Sequence, residues 1–444
     1  MINVKPLSSK RQGVYISTYG CQMNENDTER MLSLLEMVNY EPVNSPDQAS
    51  LIIINSCSVR EKPVHKVHSE VGRYKELKKN NPDLLIGVGG CVAQQEKTRL
   101  LTDIPLLDFV FGTDAIDELP DIVEKLKSSH QKIAKVRFEH QKPYQIQTLV
   151  RNPGVSTFVN ITKGCDNFCT FCVVPFTRGR ERSRALAELV KDVQSLVQRG
   201  VKEVTLLGQN VNSYKSACGA NFAQLLKTLS RETDIQRIRF TTSHPKDFNE
   251  ELVQVMFEES EKVMEYIHLP VQSGNSKVLE RMNRGYSREE YIQKVKMIFK
   301  YLPQAVLSTD IIVGFPGETE EQFQETLSLL DEVPYESLYA FKYSPRPFTK
   351  AARFSDQLPE DVKSERLQRL FDKHKSIAQQ LSQKYVGKIV QVLVEKTSEG
   401  RGIGRSTQNK VVHFPLKGEQ ELVGKMVDVQ VSEAFPQTLR GHLL

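Results

Sequence analysis

The chain lacks any long apolar run. No stretch approaches the roughly 20 apolar residues that a helix needs to span a bilayer. The first residues, Met1 to Gln12, contain no apolar signal core. Internal repeats and low-complexity tracts are absent as well. We therefore expect a cytoplasmic protein that does not cross or enter a membrane.

A strong charge bias is also missing. The net charge is +5 over 444 residues, a mild excess of Lys and Arg that does not by itself indicate nucleic acid. Hydrophobic residues at 39% and charged residues at 26% are ordinary globular values. The length exceeds what one core usually organises, so two or three domains are expected.

Cysteines are few. Seven cysteines in a chain without an export signal do not form a disulfide framework, because the cytosol keeps thiols reduced. Metal binding or catalysis is then the favoured use of these thiols. The positions of the cysteines along the chain decide between metal binding and catalysis.

The first part of the chain predicts a parallel α/β sheet domain over residues 13–127. Short β-branched runs alternate with amphipathic stretches, and fully apolar runs suit strands buried on both faces. The predicted strands are Val14–Thr18, Leu51–Ile54 and Leu84–Val88, and the predicted helices are Asp27–Val38 and Val64–Lys79. The polar stretch 128–153 reads as a connector.

The rest of the chain predicts two further domains. Over residues 150–383, six strand runs alternate with helical stretches, which indicates a partial (βα)6 barrel. The strand runs are Phe158–Thr162, Glu203–Leu207, Arg237–Thr241, Tyr266–Leu269, Val306–Val313 and Ser337–Tyr343. A long amphipathic helix, Glu360–Lys384, connects the barrel to residues 384–444, whose alternating runs predict a small antiparallel β-barrel.

The strongest chemical signal is the CxxxCxxC loop of Cys165, Cys169 and Cys172, directly after a predicted strand. Three thiolates suit an iron–sulfur cubane with one iron left open for a chelating small molecule. A structural zinc site is the alternative, but it would normally have a fourth Cys or His nearby in sequence.

A second set of thiols follows the strands of the first domain. Cys21, Cys57 and Cys91 each lie within a few residues of the end of one predicted strand. Because successive parallel strands end side by side at one edge of a sheet, we expect these thiols to meet there. One buried cysteine would mean little, but three in the same relative position predict a second three-thiolate cluster.

The CxxxCxxC loop, together with the predicted barrel, resembles the radical S-adenosylmethionine (SAM) superfamily. The resemblance implies that Cys165, Cys169 and Cys172 hold a [4Fe–4S] cluster whose open iron takes the amino and carboxylate groups of SAM. Loops after the barrel strands would bind the rest of SAM, and Gln209, Ser243 and Gln272 are the predicted contacts. The segment Ile312–Glu318 is either another such loop or only the start of a helix.

The pairing of the two cysteine sets resembles the methylthiotransferase family over nearly the whole chain. The stretches that carry the resemblance are Thr18–Asn24, Asn55–Lys62, Thr177–Arg184, Gly208–Tyr214, Leu269–Gly274 and Tyr343–Pro347. After Pro347 the family pattern has Gly, where this chain has Phe348. The resemblance implies two [4Fe–4S] clusters, the auxiliary one held by Cys21, Cys57 and Cys91, with one SAM as methyl donor and a second as radical source.

Within that family, the Gln-Met-Asn after Cys21 is most similar to the bacterial enzymes that act on tRNA. This implies methylthiolation at C2 of N6-(dimethylallyl)adenosine at position 37. A sibling substrate, either threonylcarbamoyl-adenosine in tRNA or a ribosomal protein side chain, is the nearest alternative. A non-catalytic RNA-binding protein with structural zinc is the alternative from another class.

RNA contacts and partners complete the expectations. Arg178 and Arg180, the first two of four alternating arginines after the cluster loop, are predicted to contact the substrate. The last domain resembles the TRAM domain, a small RNA-binding module. The resemblance further implies an electron donor protein such as flavodoxin or ferredoxin, and proteins that supply sulfur or iron–sulfur clusters. We expect a monomer.

Overall fold

The computed structural model describes residues 11–58, 63–129, 131–138, 144–416 and 421–444. The end of the motif Asn55–Lys62 and part of the predicted connector lie outside the described residues. The chain forms two compact units. The N-terminal unit holds the residues up to Asn152, with Lys163–Asp166 and Cys172–Arg182. The C-terminal unit holds Pro153–Thr162, Asn167–Phe171 and Ser183–Leu444.

The N-terminal unit contains a six-stranded parallel sheet in the order β2-β1-β3-β4-β5-β6. Its strands are β1 (Gln12–Tyr19), β2 (Tyr40–Pro42), β3 (Leu51–Ser56), β4 (Leu85–Gly89), β5 (Phe109–Phe111) and β6 (Ile133–Lys135). Every residue of β3 is buried, as expected for a strand covered on both faces. The sheet continues past residue 127, because β6 lies within the stretch predicted as a connector.

Helices cover both faces of this sheet, and each face has its own apolar core. They are α1 (Gln22–Glu36), α2 (Pro63–Arg73), α3 (Lys75–Asn80), α4 (Gly90–Glu96), α5 (Arg99–Asp103), α6 (Leu119–Ser129) and α7 (Val174–Thr177). The single helix predicted over 64–79 is interrupted at Tyr74, whose ring is buried in one of the two cores.

The C-terminal unit contains six parallel barrel strands in two three-stranded sheets, β11-β10-β7 and β12-β13-β14. In the described residues the six strands form two separate sheets and no closed ring, so the barrel is partial, as predicted. A parallel bridge joins Ile238 of β11 to Val263, which precedes β12. The strands are β7 (Ser156–Asn160), β10 (Glu203–Leu207), β11 (Arg237–Thr241), β12 (Tyr266–His268), β13 (Val306–Val313) and β14 (Tyr335–Lys342). Two short strands, β8 (Thr162–Lys163) and β9 (Arg182–Ser183), precede β10.

Amphipathic helices pack their apolar faces against these strands and form one large core. They are α8 (Leu186–Gln198), α9 (Phe222–Glu232), α10 (Glu250–Glu258), α11 (Ser276–Arg281), α12 (Arg288–Tyr301), α13 (Glu320–Glu332) and α14 (Glu360–Gln383). Capping boxes at Asn221, Ser287 and Thr319 define where three of them begin. Within the described parts of the chain, every helix is too short or too polar to cross a bilayer.

The last strands close into a five-stranded barrel in the order β15-β16-β17-β19-β18. They are β15 (Ile389–Ser398), β16 (Arg401–Ser406), β17 (Val411–Pro415), β18 (Met426–Ala434) and β19 (Thr438–Leu443). The barrel differs from the antiparallel expectation in one pair, because β17 and β19 are parallel. That pair closes the ring and leaves no edge strand.

Two buried arginines of β11 attach this small barrel to the larger one. Arg237 donates to the carbonyl oxygens of Arg405 at 2.7 Å and Gln391 at 3.1 Å. Arg239 donates to the carbonyl oxygens of Ser406 at 2.6 Å and Thr407 at 3.0 Å. Its Nε also bonds to the buried Glu203 carboxylate at 2.9 Å.

Replacement of Arg239 by alanine is expected to lower the free energy of unfolding by about 3–5 kcal/mol, because Glu203 is left buried and uncompensated. The measurement is urea unfolding of the full chain. The control is Arg440→Ala, whose ion pair with Glu433 is exposed on both sides and should contribute at most about 1 kcal/mol. Equal effects of the two substitutions would contradict the anchoring role of Arg239.

Candidate functional site

Three thiols of the N-terminal unit follow three adjacent strands. Cys21 comes two residues after β1, Cys57 directly after β3, and Cys91 two residues after β4. These strands are neighbours in the order β1-β3-β4, which confirms the predicted adjacency. The Cys57 N–H donates to the carbonyl oxygen of Tyr19, the last residue of β1, at 3.1 Å. Cys57 and Cys91 are buried, and Cys21 is exposed.

Two glycines allow the backbone segments at this sheet edge to approach each other. A Cβ on Gly20, which has a φ of +136°, would lie 2.3 Å from Cys57 Cβ. A Cβ on Gly90, which has a φ of +85°, would lie 2.8 Å from the Ser56 carbonyl oxygen. Both positions favour glycine for the backbone angle as well as for the space. The glycines therefore allow the segments that contain Cys21, Cys57 and Cys91 to approach each other closely.

A polar network lies under the thiols. Asn24 accepts a hydrogen bond from the Cys21 thiol at 3.5 Å. It donates to Asn55 Oδ1 at 3.1 Å, and Asn55 donates to the Asn24 carbonyl oxygen at 2.8 Å. Asn24 and Asn55 are fully buried. They connect the start of α1, which follows Cys21, to the end of β3, which precedes Cys57.

The buried guanidinium of Arg178 gives this site a positive charge. It bonds to Asp27 Oδ2 at 2.8 Å and to Asn24 Oδ1 at 3.5 Å. Burial lowers the pKa of Arg178, but the charges of Asp27, Cys91 and Cys21 raise it by more. The pKa of Arg178 therefore lies above its ordinary value. A hydrogen bond with Cys57, opposed by burial and aided by Arg178, lowers the pKa of Cys21 to about 6. The surroundings of Cys21 therefore favour its thiolate, the form that binds metal.

Single-ion coordination is a separate question. Among the residues that the structure describes, no group of three or more His, Cys, Asp and Glu side chains is arranged to hold one metal ion. A four-iron cluster is larger than one ion, so its thiolate ligands lie farther apart than the ligands of a single zinc. The donor set of three thiols, with thiolate favoured at Cys21, fits such a cluster.

The CxxxCxxC loop is divided between the two units. Cys165 and Cys172 belong to the N-terminal unit, and Cys169 belongs to the C-terminal unit. In the N-terminal unit, the Cys165 N–H donates to the Gly179 carbonyl oxygen at 3.2 Å. A Cβ on Gly164 would lie 2.1 Å from the Arg180 carbonyl oxygen, so glycine is required before the first cysteine.

In the C-terminal unit, Cys169 is buried beside a second arginine. Arg284 Nη1 donates to Cys169 Sγ at 3.3 Å, and Nη2 donates to the Pro270 carbonyl oxygen at 2.8 Å. Pro270 follows β12 by two residues. The loop cysteine is therefore tied to a strand end of the barrel.

Buried polar atoms without partners gather at the neighbouring strand ends. Among the described residues, Asn210 Oδ1, Ser243 Oγ and His244 Nε2 have no hydrogen-bond partner. Burial, together with Arg284 and Lys246, holds the pKa of His244 well below its ordinary value. Because His244 Nδ1 accepts the Lys246 N–H at 3.2 Å, the neutral ring carries its hydrogen on Nε2. These orphaned donors and acceptors suit a polar ligand.

The other predicted SAM contacts lie on two of these loops. Gln209 lies in the loop that follows β10, directly before Asn210, and is half-buried. Gln272 is buried with a φ of +75°, and its backbone pairs with β13 through Asp310 and Ile312. Their contacts with SAM stay predictions. Glu318 forms its hydrogen bonds within the protein: its carboxylate accepts from the Gly314 N–H at 2.7 Å and from Arg366 at 2.9 Å.

Each of the four alternating arginines pairs with an aspartate. The pairs are Arg178 with Asp27, Arg180 with Asp166, Arg182 with Asp114 and Arg184 with Asp192. The Arg180 side chain is 62% exposed, whereas that of Arg178 is 4% exposed. The predicted RNA contact thus has an accessible guanidinium at Arg180. Burial and the Asp27 pair do not support one at Arg178.

Known proteins resemble this chain along nearly its whole length. Residues 13–112 match the Uncharacterized protein family UPF0004, residues 159–330 the Radical SAM superfamily, and residues 383–444 the TRAM domain. A tRNA-2-methylthio-N(6)-dimethylallyladenosine synthase of Bdellovibrio bacteriovorus is 63% identical over 98% of this chain and 96% of its own. The chain belongs to the tRNA-2-methylthio-N(6)-dimethylallyladenosine synthase family. A Bacillus subtilis member is 45% identical over 97% of this chain and 85% of its own.

Solved structures support the synthase fold. The radical SAM methyltransferase TsrM of Kitasatospora setae aligns with a TM-score of 0.56 at 14% identity, over 77% of this chain and 75% of its own. The cobalamin-dependent radical SAM enzyme OxsB aligns with a TM-score of 0.54 at 14% identity, over 83% of this chain and 57% of its own. At these identities the likeness establishes the fold alone. Radical SAM membership implies SAM and one [4Fe–4S] cluster.

Several residues at these synthase sites escape sequence reasoning. Asn24 and Asn55 belong to stretches that carry the family resemblance, but nothing in the sequence pairs them. Asp27 and Arg178 are 151 positions apart, and Cys169 and Arg284 are 115 positions apart. A buried arginine among polar neighbours has no pattern in sequence that distinguishes it from a surface one.

Proposed function

We propose that this protein transfers a methylthio group to C2 of N6-(dimethylallyl)adenosine at position 37 of tRNA, giving the 2-methylthio nucleoside. The observation that carries the proposal is the 63% identity to a synthase named for this product, over 98% of the chain. Two separate thiol sites, each beside a buried arginine, support it, because sulfur insertion and radical formation need two distinct centres.

The thiols Cys165, Cys169 and Cys172 would hold the [4Fe–4S] cluster that binds SAM. When bound, this cluster supplies the electron for reductive cleavage of SAM. Arg284 keeps Cys169 in place, and the strand-end atoms of Asn210, Ser243 and His244 offer hydrogen bonds to the polar groups of SAM. Gln209 and Gln272 are further SAM contacts in this proposal.

The thiols Cys21, Cys57 and Cys91 would hold an auxiliary [4Fe–4S] cluster, which supplies the sulfur that is methylated and transferred. Arg178, which is paired with Asp27, interacts with the charges of Cys91 and Cys21, and the Asn24 side chain accepts from the Cys21 thiol. In this assignment Arg178 acts on the thiol site. It does not contact RNA, because its guanidinium is buried against Asp27.

The RNA is bound elsewhere. Arg180 is accessible and adjoins the cluster loop, and guanidinium groups pair with phosphates. The five-stranded barrel, which matches the TRAM domain, would bind another part of the tRNA. A one-electron donor such as flavodoxin or ferredoxin, proteins that supply sulfur or iron–sulfur clusters, and a cytoplasmic monomer complete the proposal.

Deletion of this gene is expected to remove 2-methylthio-N6-(dimethylallyl)adenosine from tRNA and to accumulate its dimethylallyl precursor. Nucleoside mass spectrometry measures both, with a complemented strain as control. An unchanged level of this nucleoside, together with loss of the 2-methylthio threonylcarbamoyl nucleoside, would sink the dimethylallyl assignment and favour the sibling tRNA substrate. If the strain instead loses the methylthio modification of a ribosomal protein side chain, that ribosomal protein is favoured as the substrate.

A further inference from the structure

The guanidinium of Arg284 is buried and lies between Cys169 and the end of a barrel strand. Nη1 bonds to the thiol at 3.3 Å, Nη2 to the Pro270 carbonyl oxygen at 2.8 Å, and Nε to the Tyr286 hydroxyl at 2.9 Å. Tyr286 in turn donates to the Val271 carbonyl oxygen at 2.9 Å. Each of the three guanidinium nitrogen atoms therefore has a hydrogen-bond partner, which fixes the orientation of the group.

The charge of Arg284 has no carboxylate partner in the part of the chain that the structure describes. Among the described residues, no Asp or Glu oxygen forms a salt bridge with Arg284, and its surroundings supply Tyr286 and Cys169. Other buried arginines have such a partner, as Arg239 has Glu203 and Arg366 has Glu318. A buried cation without a counter-charge is unfavourable. The group that can supply the charge at this position is the thiolate of Cys169.

The segment before Arg284 holds the same loop. Asn283 Nδ2 donates to the carbonyl oxygens of Asn167 and Phe168, both at 3.1 Å. The Thr170 N–H donates to the Met282 carbonyl oxygen at 3.0 Å. The residues on both sides of Cys169 are thus fixed by the end of α11, and the distance between Arg284 and the thiol is set by the backbone.

We propose that Arg284 is a positioning residue that balances the charge of the Cys169 thiolate and raises the reduction potential of the cluster bound there. A cation at hydrogen-bonding distance from a ligand sulfur stabilises the more negative, reduced state. The same guanidinium joins the thiol to the loop that contains Gln272, and so couples the cluster ligand to the SAM-binding edge. This inference rests on the proposed role of Cys169 and does not depend on the RNA substrate.

The test is an EPR-monitored redox titration of the anaerobically reconstituted full chain, following the reduced signal that changes when SAM is added. At the potential that half-reduces the wild-type cluster, Arg284→Met should lower the ratio of reduced to oxidised cluster at least tenfold. This corresponds to a fall of about 59 mV in the one-electron midpoint potential. Arg284→Lys keeps the charge and should recover most of that ratio. Arg281→Met is the control, because Arg281 pairs with Asp356 and does not contact the thiol.

Two results would overturn the inference. One is a wild-type midpoint in Arg284→Met with full iron and sulfide content, and the other is an equal fall in Arg284→Lys and Arg284→Met. If the methionine variant does not fold, Arg284→Gln carries the test, because it retains a hydrogen-bond donor without the charge. A wild-type chain that shows no SAM-sensitive signal would instead refute the proposed role of Cys169.

Discussion

Replacement of Cys169 by alanine is expected to abolish 2-methylthio nucleoside formation in a chain that still folds. The substitution removes one buried sulfur. It leaves intact the hydrogen bond of the Thr170 N–H and the hydrogen bond that the Asn283 side chain donates to the loop. Two remaining thiolates do not satisfy a site-differentiated cubane, which needs three. SAM cleavage should therefore be lost along with the product. The measurements are 5′-deoxyadenosine release and nucleoside mass spectrometry of tRNA from the complemented deletion strain.

The matched control is Cys218→Ala. Cys218 is exposed, and its thiol contacts Ser216 Oγ at 3.5 Å, remote from both thiol sets in sequence. Its replacement should leave iron content and product at wild-type levels. Iron should fall from about eight to about four atoms per chain in Cys169→Ala. Product at the wild-type rate in Cys169→Ala would refute the proposed site, whatever the iron content.

The fold is largely predictable where the pattern is long and repeated. The barrel strands β7, β10, β11 and β13 lie close to their predicted bounds, because strand-like runs of five to eight residues alternate there with amphipathic helices. Among the described residues, sequence reasoning missed seven strands. Four of them are β8, β9, β16 and β19. The other three, β2, β5 and β6, have three residues each. A run of three is too short to show a period. The place of β2, β5 and β6 in the sheet is decided by packing and by their pairing with β1, β4 and β5, respectively.

The five-stranded barrel shows a different limit. Alternation over Ile389–Val394 and Met426–Val431 predicts strands with one buried face, and both lie within observed strands. The parallel pairing of β17 with β19 joins Val411–His413 to Thr438–Arg440, two segments that are far apart in the sequence. Local sequence contains no signal for that choice.

The thiols were predictable and their surroundings were not. Thiol identity, loop spacing and position after strands are all local, so six cysteines could be grouped into two sets from the sequence. The groups that adjust those thiols, Asp27 with Arg178 and Arg284 with Cys169, become neighbours only in the folded chain. The burial of Arg178 could not be predicted for the same reason, because alternating arginines look identical in sequence until the fold covers one of them.

Replacement of Cys57 by alanine is expected to separate the two chemistries. Cys57 is buried after β3 and bonds to the Cys21 thiol, whose pKa depends first on that bond. Its loss leaves Cys21 and Cys91 as an incomplete set beside the charge of Arg178. The variant should make no methylthio nucleoside, whereas 5′-deoxyadenosine release from SAM should continue, since Cys165, Cys169 and Cys172 are untouched.

The comparison with Cys169→Ala makes this outcome decisive. Both variants should retain about four iron atoms, so iron content alone does not distinguish them, but only Cys57→Ala should still cleave SAM reductively. If Cys57→Ala keeps all of its iron and still forms the product, Cys21, Cys57 and Cys91 do not hold a cluster. If it loses SAM cleavage as fully as Cys169→Ala, the two thiol sets do not act as separate centres. Continued cleavage without product assigns the sulfur-supplying step to Cys21, Cys57 and Cys91.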